Sequence, residues 1–460
     1  MITQMAQKAK SVKNSKRREL VIVNPDAAGI DVSSTNHQVC VPEDRYENHN
    51  QSFGCFTEDL HKIARWLLQC KISTVAMEAT GIYWVQLYMV LEEYGLEVIL
   101  VNARHIKNIA GKKTDVVDAS WIQLLHSYGL LTASFQPENM IRQIRQLTRQ
   151  RESLIKSSSR EVLHMQKALE QMNIKLHKVI SDLLGKSGMA ILKAIIVQGI
   201  RTASELAQYA DHRIKASQQE IIKSLEGNWA EDQMFILKQS YELYNFYQQK
   251  INECDEKIDQ FMQVYVQHKA SADTDYHPSG KRKKQKNDLK FDAEHYLFRA
   301  FGVNITRIPG ICQLSGIKLL AELGGDFVQK FPSFKQFTSW ANVVPNNKIS
   351  GGRLLSSYVP RKKNKVGSVL RTVASALKQN RSPLGEYFRK VQARHGYAQA
   401  VVATANKIAR ILYTMVKEKT EYDPAKHARS SASLSKQIQS LERRLQMLKM
   451  HQTEYQQTTG

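Results

Sequence analysis

The sequence predicts an α/β unit followed by a long helical region and a second, mostly helical unit. Three observations carry that reading. Short apolar runs alternate with amphipathic stretches between residues 19 and about 130, heptad spacing dominates residues 136–267, and helical periodicity dominates from about residue 298 onward.

In the first unit, Ala27–Val32 and His37–Val41 flank the turn-like Ser33-Ser34-Thr35-Asn36 and read as a hairpin. Thr57 is placed to cap a helix running to Leu68, with Glu58 and Asp59 in its first turn and Leu60, Ile63, Ala64, Leu67 and Leu68 on one face. Ile72–Met77 is apolar with β-branched residues and reads as a buried strand. A helix over Tyr83–Tyr94 and a further strand over Leu96–Val101 complete a unit of the kind that carries functional groups at its strand ends.

Next, Ile141, Thr148, Ile155, Val162, Leu169 and Leu176 recur every seven residues. Offset by three are Ile144, Arg151, Ser158, Met165, Met172 and Val179, a seam that Arg151 and Ser158 interrupt. A second seam runs through Tyr244, Tyr247, Ile251, Cys254, Ile258, Phe261 and Tyr265. The two stretches can pair within one chain or between chains. Residues 268–297 are polar and basic around Pro278 and Gly280 and read as a flexible linker or insertion. Helix candidates follow at Ile317–Leu323, Phe334–Trp340, Val366–Lys378, Leu384–Arg394 and Ala398–Glu418. A third short heptad lies at Ile438, Leu441, Leu445 and Leu448. The expected divisions are a basic tail (1–18), the α/β unit (19–135), the coiled-coil region (136–267), the linker (268–297), the second unit (298–425) and a helical tail (426–460). Three heptad stretches make a homo-oligomer, dimer or tetramer, the expected assembly.

Composition narrows the function. Of 460 residues, 66 are Lys or Arg and 43 are Asp or Glu, giving a formal charge of +23, and the usual partner of such a charge is nucleic acid. No apolar run approaches a membrane span and the first residues lack a signal-peptide core, so neither a membrane nor a secreted protein is expected. Five scattered cysteines without a CxxC pair exclude a disulfide scaffold and fit a reducing cytoplasm. The charge is concentrated at Lys8–Arg18, at Lys281-Arg282-Lys283-Lys284 and at Arg361-Lys362-Lys363-Asn364-Lys365. Each run by itself suits a solvated loop; three in one chain favour phosphate contact.

Acids stand where strands end. Asp31 closes Gly29-Ile30-Asp31, Glu78 closes Val75-Ala76-Met77-Glu78, and Asp115 and Asp118 lie three apart where a helix starts. Singly, these are turn formers or helix-end charges. Together, carboxylates from two strands and a helix need a cation to offset their repulsion, and hard oxygen ligands suit Mg²⁺ or Mn²⁺. Two such ions can activate and stabilise oxygens at a phosphodiester.

Downstream, Asn346-Asn347-Lys348-Ile349-Ser350-Gly351-Gly352-Arg353 places a serine before two glycines, on backbone free to turn sharply. The residues alone favour a turn serine over a nucleophile. Arg353, Arg361, Lys362, Lys363, Lys365 and Arg371 lie around or after it and are candidates to hold phosphates, as are Lys112 and Lys113 beside the Asp115 motif. Ile308-Pro309-Gly310-Ile311-Cys312 has the form of a helix-hairpin-helix turn, although a structural connection between helices is an equal reading. Trp84, Trp121 and Trp340 read as core.

These motifs resemble the RuvC-type DEDD transposases of insertion sequences, relatives of the Piv DNA invertase that work with a structured bridge RNA. The segments that carry the resemblance are Ala28-Gly29-Ile30-Asp31, Met77-Glu78-Ala79-Thr80-Gly81 and Lys113-Thr114-Asp115-Val116-Val117-Asp118-Ala119. It continues through Arg149-Gln150-Arg151, Asn173-Ile174-Lys175-Leu176, Ile308-Pro309-Gly310-Ile311, Ser350-Gly351-Gly352-Arg353 and Lys407-Ile408-Ala409-Arg410. It covers roughly residues 25–195 and 300–425 in the family's order. The resemblance implies an N-terminal RuvC/RNase H-like domain whose Asp31, Glu78, Asp115 and Asp118 bind Mg²⁺ or Mn²⁺. It also implies a C-terminal domain whose Ser350 is the nucleophile. The chain departs from the family at Ile349, where members often have Ser or Gln, and Ser356 and Ser357 are the nearby alternatives. The implied partners are double-stranded DNA and a structured guide RNA, in the prokaryotic cytoplasm at the nucleoid. Two rivals stay open: a metal-dependent endonuclease that uses water, and a non-catalytic RNA/DNA-binding scaffold.

Overall fold

The computed structural model describes residues 21–79, 81–102, 115–267, 269, 276–280, 284–360, 364–427, 438–439 and 441–450, the side chains of 115–117 excepted. The chain divides into two compact units, Met1–Gln136 and Pro137–Gly460.

The first unit is a five-stranded sheet in the order β3-β2-β1-β4-β5. Strands β1 (Ala27–Val32), β2 (Asn36–Cys40) and β3 (Asn50–Gly54) are antiparallel neighbours, while β4 (Thr74–Glu78) and β5 (Glu97–Val101) run parallel to β1. Helices α1 (Thr57–Gln69) and α2 (Trp84–Glu93) supply the crossovers. Both cover one face, where Ile30, Val32, Val75 and Met77 meet Ile63, Leu67, Leu87 and Leu91 in a dry core. Helix α3 (Asp115–Ser127) covers the other face, where Ala76, Val101, Ile122 and Leu125 pack together. The expected strands and helices stand within two residues of their places. Thr57 is a helical residue rather than a cap: the N-cap is Phe56, which makes no side-chain cap bond. Strand β3 had no apolar alternation to announce it; it is a polar edge strand held by its ladder to β2.

The second unit is built on two long helices, α4 (Asn139–Gln171) and, after three short helices, α8 (Glu231–Gln267). The short helices are α5 (Lys186–Ile196), α6 (Ala203–Ala207) and α7 (Gln218–Leu225). They close a satellite core around Leu176, Ile191, Ile195, Leu206 and Leu225. Helices α4 and α8 pair antiparallel within the chain: Arg151 meets Asp255, and Ser158 meets Gln248. The helical seam stops at α4's end, where Asn173 turns the chain at φ 61°; Leu176 and Val179 lie beyond it, in the core that also holds Met165, Leu169 and Met172. Arg151 and Ser158, the residues that interrupt the heptad, are buried. Two of the three heptad stretches are thus spent inside one chain.

The rest is helical: α9 (Glu294–Phe301), α10 (Gln313–Leu323), α11 (Phe327–Lys330), α12 (Phe334–Trp340), α13 (Lys365–Ala376), α14 (Pro383–His395) and α15 (Tyr397–Glu418). One hairpin, β6 (Asn346–Ser350) and β7 (Arg353–Tyr358), interrupts it. The C-terminal part of the expected linker is structured: Leu289 and Ala293 are buried and α9 begins at Glu294. Arg145 anchors α4 to the end of α10 by donating to the Ala321 and Glu322 carbonyls at 3.0 and 3.1 Å, which satisfies carbonyls left open by the helix terminus. Residues 441–450 are helical, and Leu441, Leu445 and Leu448 are exposed.

Candidate active site

Gly29 explains how α3 packs on the sheet strand that carries Asp31. It lies on the α3 face of β1, and a Cβ there would fall 2.2 Å from the Gln123 nitrogen and 2.4 Å from the Ala119 oxygen. Only glycine lets the helix backbone ride directly on the strand. Polar pins hold the contact. The Gln123 side chain donates to the Ala27 carbonyl at 3.2 Å, and His126 Nε2 lies 2.9 Å from Thr74 Oγ1. The amides of Val23 and Asn24 donate to the Ser127 carbonyl at 2.8 and 2.9 Å. Burial lowers the His126 pKa to about 4, so the imidazole is neutral in this wall.

With its C-terminal end pinned at the start of β1 and β4, α3 runs antiparallel to them, and its N-terminal turn lies level with their ends. Side chains alternate along a strand, so Asp31 shares the Gly29 face and Glu78 the Ala76 face. The parallel register pairs Ile30 with Met77, which makes Asp31 and Glu78 the next residues on neighbouring strands. Asp118 precedes Ala119, the residue against Gly29. All three acids are half-buried. A polar chain runs beside them: Gln38, the register partner of Asp31, donates to Asn50 at 2.5 Å, and Asn50 donates to Ser120 Oγ at 2.8 Å. The sequence signal for this chain was slight, a Gln and an Asn in short strands.

Asp31, Glu78 and Asp118 thus belong to one end of the sheet, while the Asp115 side chain lies outside the described residues. Among those described, no three His, Cys, Asp or Glu side chains gather closely enough to hold a metal ion. The donors are all carboxylate oxygens, which by their chemistry fit a hard divalent ion.

Ser350 belongs to the second unit, at the last position of β6. Gly351 and Gly352 follow at φ 54° and 75°, two consecutive left-handed residues as a tight two-residue hairpin turn requires. Ser350 pairs with Arg353 across the turn, and both are exposed. Ser356 and Ser357 lie further down β7, paired with Lys348 and Asn347. The hairpin base is fixed by amide side chains: Asn342 donates to the Pro360 carbonyl at 2.7 Å and Asn364 to the Trp340 carbonyl at 2.8 Å.

The basic residues divide. Arg353 and Lys284 are exposed. Arg371 donates to the Asn342 carbonyl at 3.0 Å, and burial lowers its pKa; it braces the hairpin base. Lys365 pairs with Glu152 at 3.1 Å, and Glu152 also holds Lys318 at 2.7 Å. Lys112, Lys113, Lys281, Arg282, Lys283, Arg361, Lys362 and Lys363 lie outside the described residues. Gly310 has φ 91° and lies close to Val373 and Leu377. Cys312, at φ −102°, needs no second glycine. Trp84 and Trp121 pack against the sheet cores, and Trp340 stacks on Phe337.

Comparison with known proteins yields two matches. A family model of the DEDD class in the IS110 group, described as transposase, matches residues 28–174, and one described as transposase of the IS116/IS110/IS902 family matches residues 303–389. The first spans Asp31, Glu78, Asp115 and Asp118; the second spans Ser350 and Arg353. No curated protein matches.

Proposed function

Because the chain belongs to the IS116/IS110/IS902 family of transposases, enzymes that cut and rejoin DNA, we propose that it recombines DNA through Ser350, under the guidance of a structured RNA. The observation that carries the serine is its place: the exposed tip of a hairpin, before two left-handed glycines and opposite Arg353. There its Oγ has access to a phosphodiester while the Arg353 guanidinium faces the phosphoryl oxygens.

The step conserves bonds. Ser350 Oγ attacks phosphorus, one P–O bond of the DNA breaks, a phosphoserine ester forms and a free DNA hydroxyl leaves with a proton. Attack by another strand's hydroxyl reverses it, so strands are exchanged without ATP. Asp31, Glu78, Asp115 and Asp118, in a RuvC-like domain, would hold Mg²⁺ or Mn²⁺, which when bound neutralises charge developing on the phosphoryl oxygens. The acids belong to one compact unit and the serine to the other. In this reading the guide RNA chooses sequence by base pairing, and the protein reads backbone and shape. Assembly as a dimer or tetramer would use the exposed apolar positions of the tail helix.

The test uses the full chain, RNA transcribed from the DNA flanking the gene, and a plasmid carrying the element's ends. A protein–DNA adduct resistant to denaturation is expected with the wild type and absent with Ser350→Ala. Cleavage that persists in Ser350→Ala without an adduct would establish attack by water instead. Unchanged recombination in Asp115→Ala/Asp118→Ala would remove the metal from the proposal.

A further inference from the structure

We infer that the corner between α13 and α14 is a seat for the phosphate backbone of duplex DNA, formed by Lys378, Arg381 and Arg389. An open notch of about 480 Å³ lies there, lined by these three cations with Gln379 and Gln392. Among the described residues no carboxylate lines it. From residue 361 to 420 the chain carries fourteen Lys and Arg against two acids, Glu386 and Glu418, so the notch belongs to a strongly basic stretch of the sequence.

One cation is held in place before any ligand arrives. Arg389 Nη1 donates to the carbonyls of Lys378 at 3.2 Å and Asn380 at 2.6 Å. These are carbonyls just beyond the end of α13, so the guanidinium is fixed at the notch while the residue stays exposed. A planar fork fixed in this way loses little freedom on meeting a phosphate. Lys378 lies over the Tyr397 ring, 6.0 Å from its centroid, and Arg381 is exposed at the rim. The glutamines add neutral amide donors, the usual companions of cations at phosphate oxygens.

The openness of the notch decides the ligand class. A small anionic metabolite is held in a pocket that buries most of its surface, whereas a polyanion passing over the protein needs only a shallow cationic seat. Duplex DNA is favoured over RNA because the notch lies in the compact unit that carries Ser350. This choice rests on the proposal that the Ser350 unit handles the DNA.

The probes are a duplex of about 30 base pairs of arbitrary sequence and a folded RNA of equal charge, since backbone contact is sequence-independent. Binding is measured against salt without divalent ions, so cleavage plays no part. Lys378→Gln/Arg381→Gln should weaken DNA binding about tenfold and flatten the log–log salt slope by about 1–2 units, near 0.9 per lost phosphate contact. RNA binding should keep its slope. Arg389→Lys, which keeps the charge but loses the fork, should show a smaller loss, and thermal melting verifies that each variant is folded. An unchanged DNA slope, a loss confined to RNA, or no DNA binding by the wild type overturns the inference. A wild type that shows the DNA effect but never forms the Ser350 adduct sinks the serine mechanism and leaves this seat standing.

Discussion

Arg151 and Asp255 form an ion pair sealed between the two longest helices, with Nε to Oδ1 at 2.6 Å and Nη2 to Oδ2 at 3.1 Å. The same Nη2 donates to the carbonyls of Asn287 and Asp288 at 3.1 and 3.2 Å, which ties the segment before α9 to the helix pair. Both charged side chains are about 98% or more removed from water, so each is costly without the other. Arg151→Leu alone should lower stability by about 3–5 kcal/mol, because Asp255 is then buried unpaired. Arg151→Met/Asp255→Leu should recover most of that loss. Urea unfolding of the three proteins checks the order; a double variant as weak as the single one would contradict it.

In the sequence, Arg151 and Ser158 registered as interruptions of a heptad, with no sign of what they meet. Periodicity reports which positions face inward, but only tertiary contact reveals that a polar inward residue has a partner about a hundred residues away. The central strands were legible because burial on both faces imposes apolar runs, and the crossover helices because burying one face imposes helical spacing of apolar residues. Strand β3 and the β6–β7 hairpin were not, since an edge strand and an exposed ribbon need no such pattern: Ile349, Leu354 and Leu355 are all exposed. Asp31 and Glu78 were legible by their place at strand ends and Asp118 by its place near a helix start; the close packing of α3 on Gly29 was not. Arg371 was legible only as a basic residue near a candidate nucleophile; that its guanidinium donates to the Asn342 carbonyl was not.

Gly29→Ala tests the packing that sets the acid positions. The atoms its Cβ would strike at 2.2 and 2.4 Å are backbone atoms of α3, so no rotamer change relieves the overlap. The helix must move, and the expected destabilisation meets or exceeds the usual 1–3 kcal/mol or so for overpacking. Strand transfer should fall more steeply than stability, since Asp118 moves with the helix. Ala119→Gly should not rescue it, because the clash is with the Ala119 carbonyl rather than its methyl. Rescue by that second change would show that the side chain sets the spacing.

The buried His126 predicts a pH dependence. Its folded pKa is lowered to about 4 by burial, against 6.5 for the free group. The unfolded chain therefore binds the extra proton first, and stability is complete above about pH 6.5 and declines as pH falls toward 4. The contribution at stake is up to about 3 kcal/mol. His126→Gln keeps a donor for Thr74 without titrating, so its melting temperature should vary less across that range than the wild type's. Parallel curves for the two proteins would show that other groups govern the acid limb.

The hairpin tip offers a change that separates activity from stability. Gly351 and Gly352 sit at φ 54° and 75°, and a Cβ at either position would have nothing within 4 Å. A side chain there meets no neighbour, and only the backbone conformation objects. An ordinary L-residue in that region costs roughly 1–2 kcal/mol, and a β-branched one more. Gly351→Val should deform the turn and displace Ser350 relative to Arg353, lowering strand transfer at least tenfold. Global melting should hardly change, because β6 is exposed along its whole length and little of the core rests on it. Gly351→Asn, whose side chain tolerates the left-handed region, should retain most activity. A valine variant with full activity would show that the turn does not set the serine's position; an asparagine variant as inactive as valine would show that the site needs the bare backbone itself.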